Sequence, residues 1–220
     1  MSRRPPLLTA LVLALALSAG GCASVSSGKE LAAIFDTGVT AYDAGDYPKA
    51  FKIWSSIQDE DLAAMRNVAM MLRKGQGTAK DPKKAEEIYE IAAEAGLPTA
   101  QADLADMLLK GEAGPPDPKR ALPLLEAAAA ADHPVAQYEL AQMFETGANG
   151  LVPKDVTVAR RLYAAAATHG MKQAAVRLEA LGGPLPSSPK GAPGAPAATS
   201  PTLRPSSLGP SSSGSASTRP

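Results

Sequence analysis

Two histidines, one cysteine and four evenly placed aspartates are the side chains of this 220-residue chain best suited to chemistry. His133 follows Asp132, His169 precedes Gly170, and the two histidines stand 36 residues apart. A general base or a metal ligand needs partners that converge on it. These two instead read as occupants of equivalent places at the ends of two helices, where the negative end of the helix dipole favours an imidazolium. Asp46, Asp81, Asp117 and Asp155 have the carboxylates that acid/base or metal chemistry requires. Each one, however, opens an Ala-marked helical run, and capping the free amides of the first turn accounts for all four. Gly75-Gln76-Gly77 has the spacing of a phosphate cradle but follows a helical pattern with no strand before it. Lys80, Lys83 and Lys84 read as a solvated helix start, and Trp54 and the repeated tyrosines sit at core spacing. The expectation is no catalytic residue, no metal ligand and no cofactor.

The elements that carry these residues come from a repeat. Asp-Pro-Lys-Lys-Ala at 81–85 returns as Asp-Pro-Lys-Arg-Ala at 117–121, and Asp46–Ala50 and Asp155–Ala159 hold the same place. The four aspartates are 35, 36 and 38 residues apart. In phase with them run Gly75, Gly111 and Gly147; Ala69, Ala105 and Ala141; Ala100, Ala136 and Ala174; and Trp54, Tyr89, Leu125 and Tyr163. Each unit reads as two helices. Pro98 and Pro134 suit the first turn of one helix, where no amide donor is needed. Ala100, Leu104, Ala105 and Leu108, then Ala136, Leu140, Ala141 and Phe144, mark its apolar face. Gly111 and Gly147 stand where a left-handed cap ends it. Ala85, Tyr89, Ala92 and Ala93, or Ala159, Tyr163, Ala166 and Ala167, mark the second helix, closed by Gly96 or Gly170. Small residues let the axes approach closely, and a single pair leaves an apolar face that only the next pair covers. The helix from Lys172 to Leu181 has no successor and reads as a C-terminal cap. Pro123 falls inside a second helix, removes a hydrogen bond and predicts a kink.

These repeats resemble a known family. Ala-Gln-x-x-Leu-Ala at 100–105 and 136–141, Gly-x-x-x-x-x-Asp-x-x-x-Ala at 111–121 and Tyr-x-x-Ala-Ala at 89–93 look like Sel-one-like repeats of the tetratricopeptide superfamily. The segment Gly38–Ala50 is closer to the ordinary tetratricopeptide pattern. The resemblance covers roughly Lys29 to Leu181 and implies an all-α solenoid of about four antiparallel helix pairs plus the cap helix. Ala105 and Ala141 depart from it, where the family often has Gly, and so does a two-residue insertion within 147–155. In that superfamily the first helices line the concave face, with their second, fifth, ninth and twelfth residues pointing into it. Carried over, this places Arg66, Met70, Arg73, Leu109, Tyr138, Gln142 and Glu145 in a groove for a partner. Arg, Met and Tyr are residue types that binding surfaces favour.

The two ends differ from this body. Residues 1–21 have a charged start at Arg3 and Arg4, an eleven-residue apolar stretch from Leu7 to Leu17, and small residues before Cys22. That is the anatomy of a secretory signal, and it is shorter than the about 20 residues a spanning helix needs. Ser2-Arg3-Arg4 hints at twin-arginine export, which Pro5-Pro6 fits badly. Ser18-Ala19-Gly20-Gly21-Cys22 resembles a bacterial lipobox, with Ala19 where Leu is more common. The resemblance implies cleavage before Cys22 and acylation of its thiol and new amino group; several acyl chains anchor stably where one is marginal. A lipidated Cys22 leaves no thiol for disulfides, metal binding or nucleophilic catalysis. Residues 22–28 form a short linker and 29–182 the repeat body. From Gly183 to Pro220 the chain is rich in Pro, Ser, Ala and Gly with no acid and no aromatic, a composition that cannot offset its ordering entropy.

Between Lys29 and Glu179 lie all 22 acidic residues against 17 basic ones, a formal balance of −5. A mildly acidic body without a basic stripe argues against a nucleic-acid partner. The expectation is a non-enzymatic scaffold, held by lipid on Cys22 and facing the periplasm, that docks a protein or peptide segment in its groove. Ala23 after the lipidated residue resembles the sorting pattern of the outer membrane. Similarity to repeat lipoproteins of exopolysaccharide export offers a narrower role, though the chain is short for it. Cysteine-rich members described as β-lactam-hydrolysing offer an enzymatic one, but their paired cysteines are missing here. A cell-wall tether working through residues 183–220 is a further alternative.

Overall fold

The computed structural model describes residues 28–185, so residues 1–27, with the expected signal segment and Cys22, and the expected tail from Pro186 onward lie outside the described residues. Those described form nine α-helices and no strand: α1 (Gly28–Asp43), α2 (Tyr47–Ser55), α3 (Leu62–Lys74), α4 (Pro82–Glu94), α5 (Pro98–Lys110), α6 (Pro118–Ala130), α7 (Pro134–Thr146), α8 (Val156–Thr168) and α9 (Lys172–Ala180). Each packs chiefly on the helix before it and the helix after it. The fold is the expected all-α solenoid of helix pairs, with α9 closing the series.

The repeated aspartates build the hairpins. Asp81 and Asp117 accept from the amides of Lys84 and Arg120 at 3.0 and 3.1 Å, and Asp155 caps two amides of α8. Asp46 does the same for Lys49 at 3.3 Å. Their backbones do a second job. The amides of Asp81, Asp117 and Asp155 donate to Leu72, Leu108 and Phe144 in the preceding helix, at 2.8–2.9 Å. One residue thus starts a helix and ties it to the last turn of its partner. The glycine that ends each first helix is left-handed, with φ of 72° at Gly75, 67° at Gly111 and 82° at Gly147. The Gln of the Ala-Gln pair locks the next join. Nε2 of Gln101 and of Gln137 donates to the carbonyls of Ala93 and Ala129, at the end of the helix before.

The alanine columns are the tightest part of the core. Ala64, Ala100, Ala136 and Ala174, together with Ala69, Ala105 and Ala141, have no exposed surface, and neither do Tyr89, Leu125 and Tyr163. A larger side chain at any of these alanines forces the axes apart, because close-packed interiors have no slack. The first pair uses a different device. Trp54 lies against Gly38, where an added Cβ would fall 2.3 Å from the indole nitrogen, and that nitrogen donates to Phe35 O at 3.2 Å.

Two expectations are revised. His133 does not end a second helix: it is the residue before α7, where its Nδ1 accepts from Ala136 N at 3.5 Å. His169 follows α8 as its C-terminal flank, so the two histidines are not equivalent. The insertion before α8 shifts the register, and Asp132, at φ 59°, takes the place that Gly96 and Gly170 hold elsewhere. Helix α6 continues through Pro123, which stands on its exposed side. The insertion in 147–155 forms a 3₁₀ turn at Ala148–Gly150 and buries Val152 in the core rather than only widening a loop. Beyond α9, the Arg160 guanidinium donates to the carbonyls of Gly182, Gly183 and Pro184 at 2.6–3.2 Å.

Candidate interaction groove

The first helices α3, α5, α7 and α9 line three adjoining depressions. The largest, about 630 Å³, takes residues from all four, including Arg66, Asp103, Tyr138 and Gln173. A second of about 480 Å³ lies between α5 and α7 and shares Asp106, Lys110 and Glu139 with it. A third of about 510 Å³, between α7 and α9, shares Tyr138 and Gln173. The shared residues make them one trough.

Of the groove residues expected from sequence, Arg66, Leu109, Tyr138 and Gln142 line this trough; Met70, Arg73 and Glu145 line none of the three depressions. The sequence reading missed Asp103, Asp106, Lys110 and Glu139. Their register carried a signal, for Asp106 stands 36 residues after Met70 and 36 before Gln142, and Glu139 stands 36 after Asp103.

The arginines are not free cations awaiting a partner. Arg66 Nε donates to Asp103 Oδ2 at 2.5 Å. Arg73 reaches Asp106 and Glu112, each at 2.5 Å, with its side chain 13% exposed. Burial lowers the Arg66 pKa, but Asp103 more than offsets it. The Glu112 hydrogen bond holds Arg73 well above its ordinary value. Burial raises the Asp106 carboxyl while Lys110 and Arg73 bring it down further. At the other end Arg177 of α9 pairs with Glu145 of α7, and Tyr163 donates its hydroxyl to the same carboxylate at 2.8 Å.

Between α5 and α7 the pattern stops. Glu139 faces Asp106 and Asp103, and its Oε2 is buried without a hydrogen-bond partner. Burial first, then Asp106, pushes its carboxyl up to about 7, against the pull of Lys110 and Arg73. Burial likewise lowers His133 at the rim. A titratable group shifted in this way inside a cleft marks a candidate site. Among the described residues no three His, Cys, Asp or Glu side chains are placed to hold a metal ion.

Residues 62–97, 98–133 and 134–171 each match the Sel1 repeat, together half of the chain. The chain belongs to the Sel1 repeat family. A Sel1 repeat protein from Oxalobacter formigenes is 31% identical with a TM-score of 0.61, over 66% of this chain and 58% of that one. The structure of c5321, a protective antigen present in uropathogenic Escherichia coli strains and displaying an SLR fold, is 25% identical with a TM-score of 0.62, over 69% of this chain and 33% of that one. The match therefore spans less than two thirds of either relative. No curated protein matches the chain. Sel1 repeats point to a protein–protein interaction scaffold, a fold that is generally non-catalytic. The hairpin α1/α2 precedes the three matched Sel1 repeats. No helix among the described residues is long and apolar enough to cross a membrane.

Proposed function

We propose that this Sel1 repeat protein is a lipid-anchored scaffold of the bacterial envelope. Acyl chains on Cys22 hold it at a membrane, the outer one by the Ala23 pattern, and the body faces the periplasm. Its task is to dock a segment of another protein along the first helices. The observation that carries this reading is the trough itself: three joined depressions run across four successive first helices. Such a surface suits an extended or helical segment better than a compact small molecule, whose sites are enclosed and few. Tyr138 is the natural anchor, because it is half-buried at the centre and belongs to two of the three depressions.

Photo-crosslinking from position 138 in growing cells tests the docking. One or a few discrete adducts, lost when the probe moves to exposed Ile91 on α4, are expected; identical adduct patterns from both sites would reject the groove. Metabolic labelling with palmitate tests the anchor. The wild type should take up label and fractionate with membranes, and Cys22→Ala should do neither. The enzymatic alternative predicts nitrocefin turnover by the purified chain, and a rate no different from buffer is expected.

A further inference from the structure

We infer that the partner inserts a basic side chain, lysine or arginine, into the trough between α5 and α7, onto Glu139. The inference rests on the docking role proposed above and names the chemistry that the groove selects.

Three observations converge. The first is the interrupted ladder. Arg66 and Arg73 of α3 reach forward to Asp103 and Asp106 of α5, and Arg177 of α9 reaches back to Glu145 of α7. The seam between α5 and α7 meets the trough with carboxylates from both sides. Its cations are already engaged, Arg66 by Asp103 and Lys110 by Asp106 at 2.8 Å. Glu139 is the carboxylate left over.

The second is access. Glu139 lines both the 630 Å³ depression and the 480 Å³ one, so an incoming group can reach it from the open trough. The third is the buried, unpartnered Oε2. A buried carboxylate oxygen without a donor is costly unless something pairs with it. An ammonium or guanidinium entering the trough supplies the missing charge, and a turn of the Glu139 carboxyl brings its buried oxygen to the same donor. Ala102, Val135, Tyr138 and Met171 border the same depression and suit the aliphatic stem of such a side chain. The aromatic ring of Tyr138 on the same wall suits an arginine as well. Val176, 71% exposed on α9, lies in the adjoining depression beyond Tyr138 and gives an apolar residue of the same segment a place to rest.

The occupant is a polypeptide rather than a free amine, because the trough continues on both sides of Glu139. The uncompensated charge is one, which matches one basic side chain.

Selection of a random heptapeptide display library on the full chain, repeated on Glu139→Gln and on Tyr138→Ala, tests this. Circular dichroism of each variant fixes that its helices are intact. Recovered peptides should share a Lys or Arg at one position, bind the wild type about tenfold or more tightly than Glu139→Gln, and lose that preference when the basic residue becomes norleucine. Peptides weakened by Tyr138→Ala but showing no basic preference would overturn the inference and leave the docking groove standing. No recovered peptides, or peptides indifferent to both substitutions, would overturn the two together.

Discussion

The α3–α5 seam and the α5–α7 seam are built from the same repeat and the same alanine columns, yet they handle charge in opposite ways. In the first, two half-buried arginines are matched by Asp103, Asp106 and Glu112. In the second, the register that holds Asn67 and Asp103 holds Glu139, and no hydrogen-bond donor among the described residues meets its buried oxygen. One seam is electrostatically closed, the other open. In a solenoid whose packing is repeated from unit to unit, the positions where the repeat departs from itself are what set one seam apart from the next.

If the seams differ only in charge, their cores should fail alike. Tyr89→Ala on α4 and Leu125→Ala on α6, the matching positions of the two seams, each remove a side chain with no exposed surface, and each should cost about 2–5 kcal/mol in chemical denaturation. A loss confined to one of them would mean that the packing, and not only the charge, sets the two regions apart. The next effect belongs to the closed seam. Arg73→Ala strands Glu112, leaves Asp106 with Lys110 alone, and should destabilise by about 2–3 kcal/mol. Arg120 on α6 bridges Glu86 and Glu90 at the solvent-facing side, with its side chain 48% exposed. Arg120→Ala should therefore cost well under about 1 kcal/mol and fade in salt.

The open seam is tested by pH. Glu139 is raised to about 7 from 4.5, so between those values the folded chain binds more protons than the unfolded one. Stability from this group is fully present below about pH 4.5 and declines as pH rises through about 7. Glu139→Gln should then gain about 3 kcal/mol over the wild type at pH 8 and little at pH 4.5. The comparison between variants matters, because other groups slope the other way. Hydrogen bonding to Arg73 lowers Glu112, and hydrogen bonding to Arg177 lowers Glu145; burial lowers His133. Their contributions are lost as pH falls. A flat difference across this range would show that Glu139 is already satisfied, and the contrast between the seams would vanish. The smallest effect sharpens the far end. Tyr163→Phe removes the hydroxyl that donates to Glu145 while Arg177 remains, at a cost of about 1 kcal/mol.

Much of this architecture was legible from residue types and spacing. Asp81, Asp117 and Asp155 could be assigned as caps because capping is local, settled within three residues of chain. The glycine ends and the buried alanine columns could be read for the same reason, since a repeat of fixed length repeats its environment. The histidines were misplaced because a two-residue insertion breaks a fixed count, and only the folded register shows His133 before one helix and His169 after another. The groove was half legible. Its helices and Tyr138 follow from the pattern, whereas Arg66 and Arg73 look like free binding groups until the next repeat places Asp103, Asp106 and Glu112 against them.

Sequence alone determined the helix pairs, their caps and their order, because these depend on interactions a few residues apart and on an apolar periodicity that stacking must bury. Only the tertiary structure decided which charges are already spent and which one is left over. Arg66 meets Asp103 across 37 residues of chain, and Glu139 faces Asp106 across 33. Electrostatic satisfaction depends on a few ångströms between side chains from different repeats, and no local rule of sequence fixes that distance.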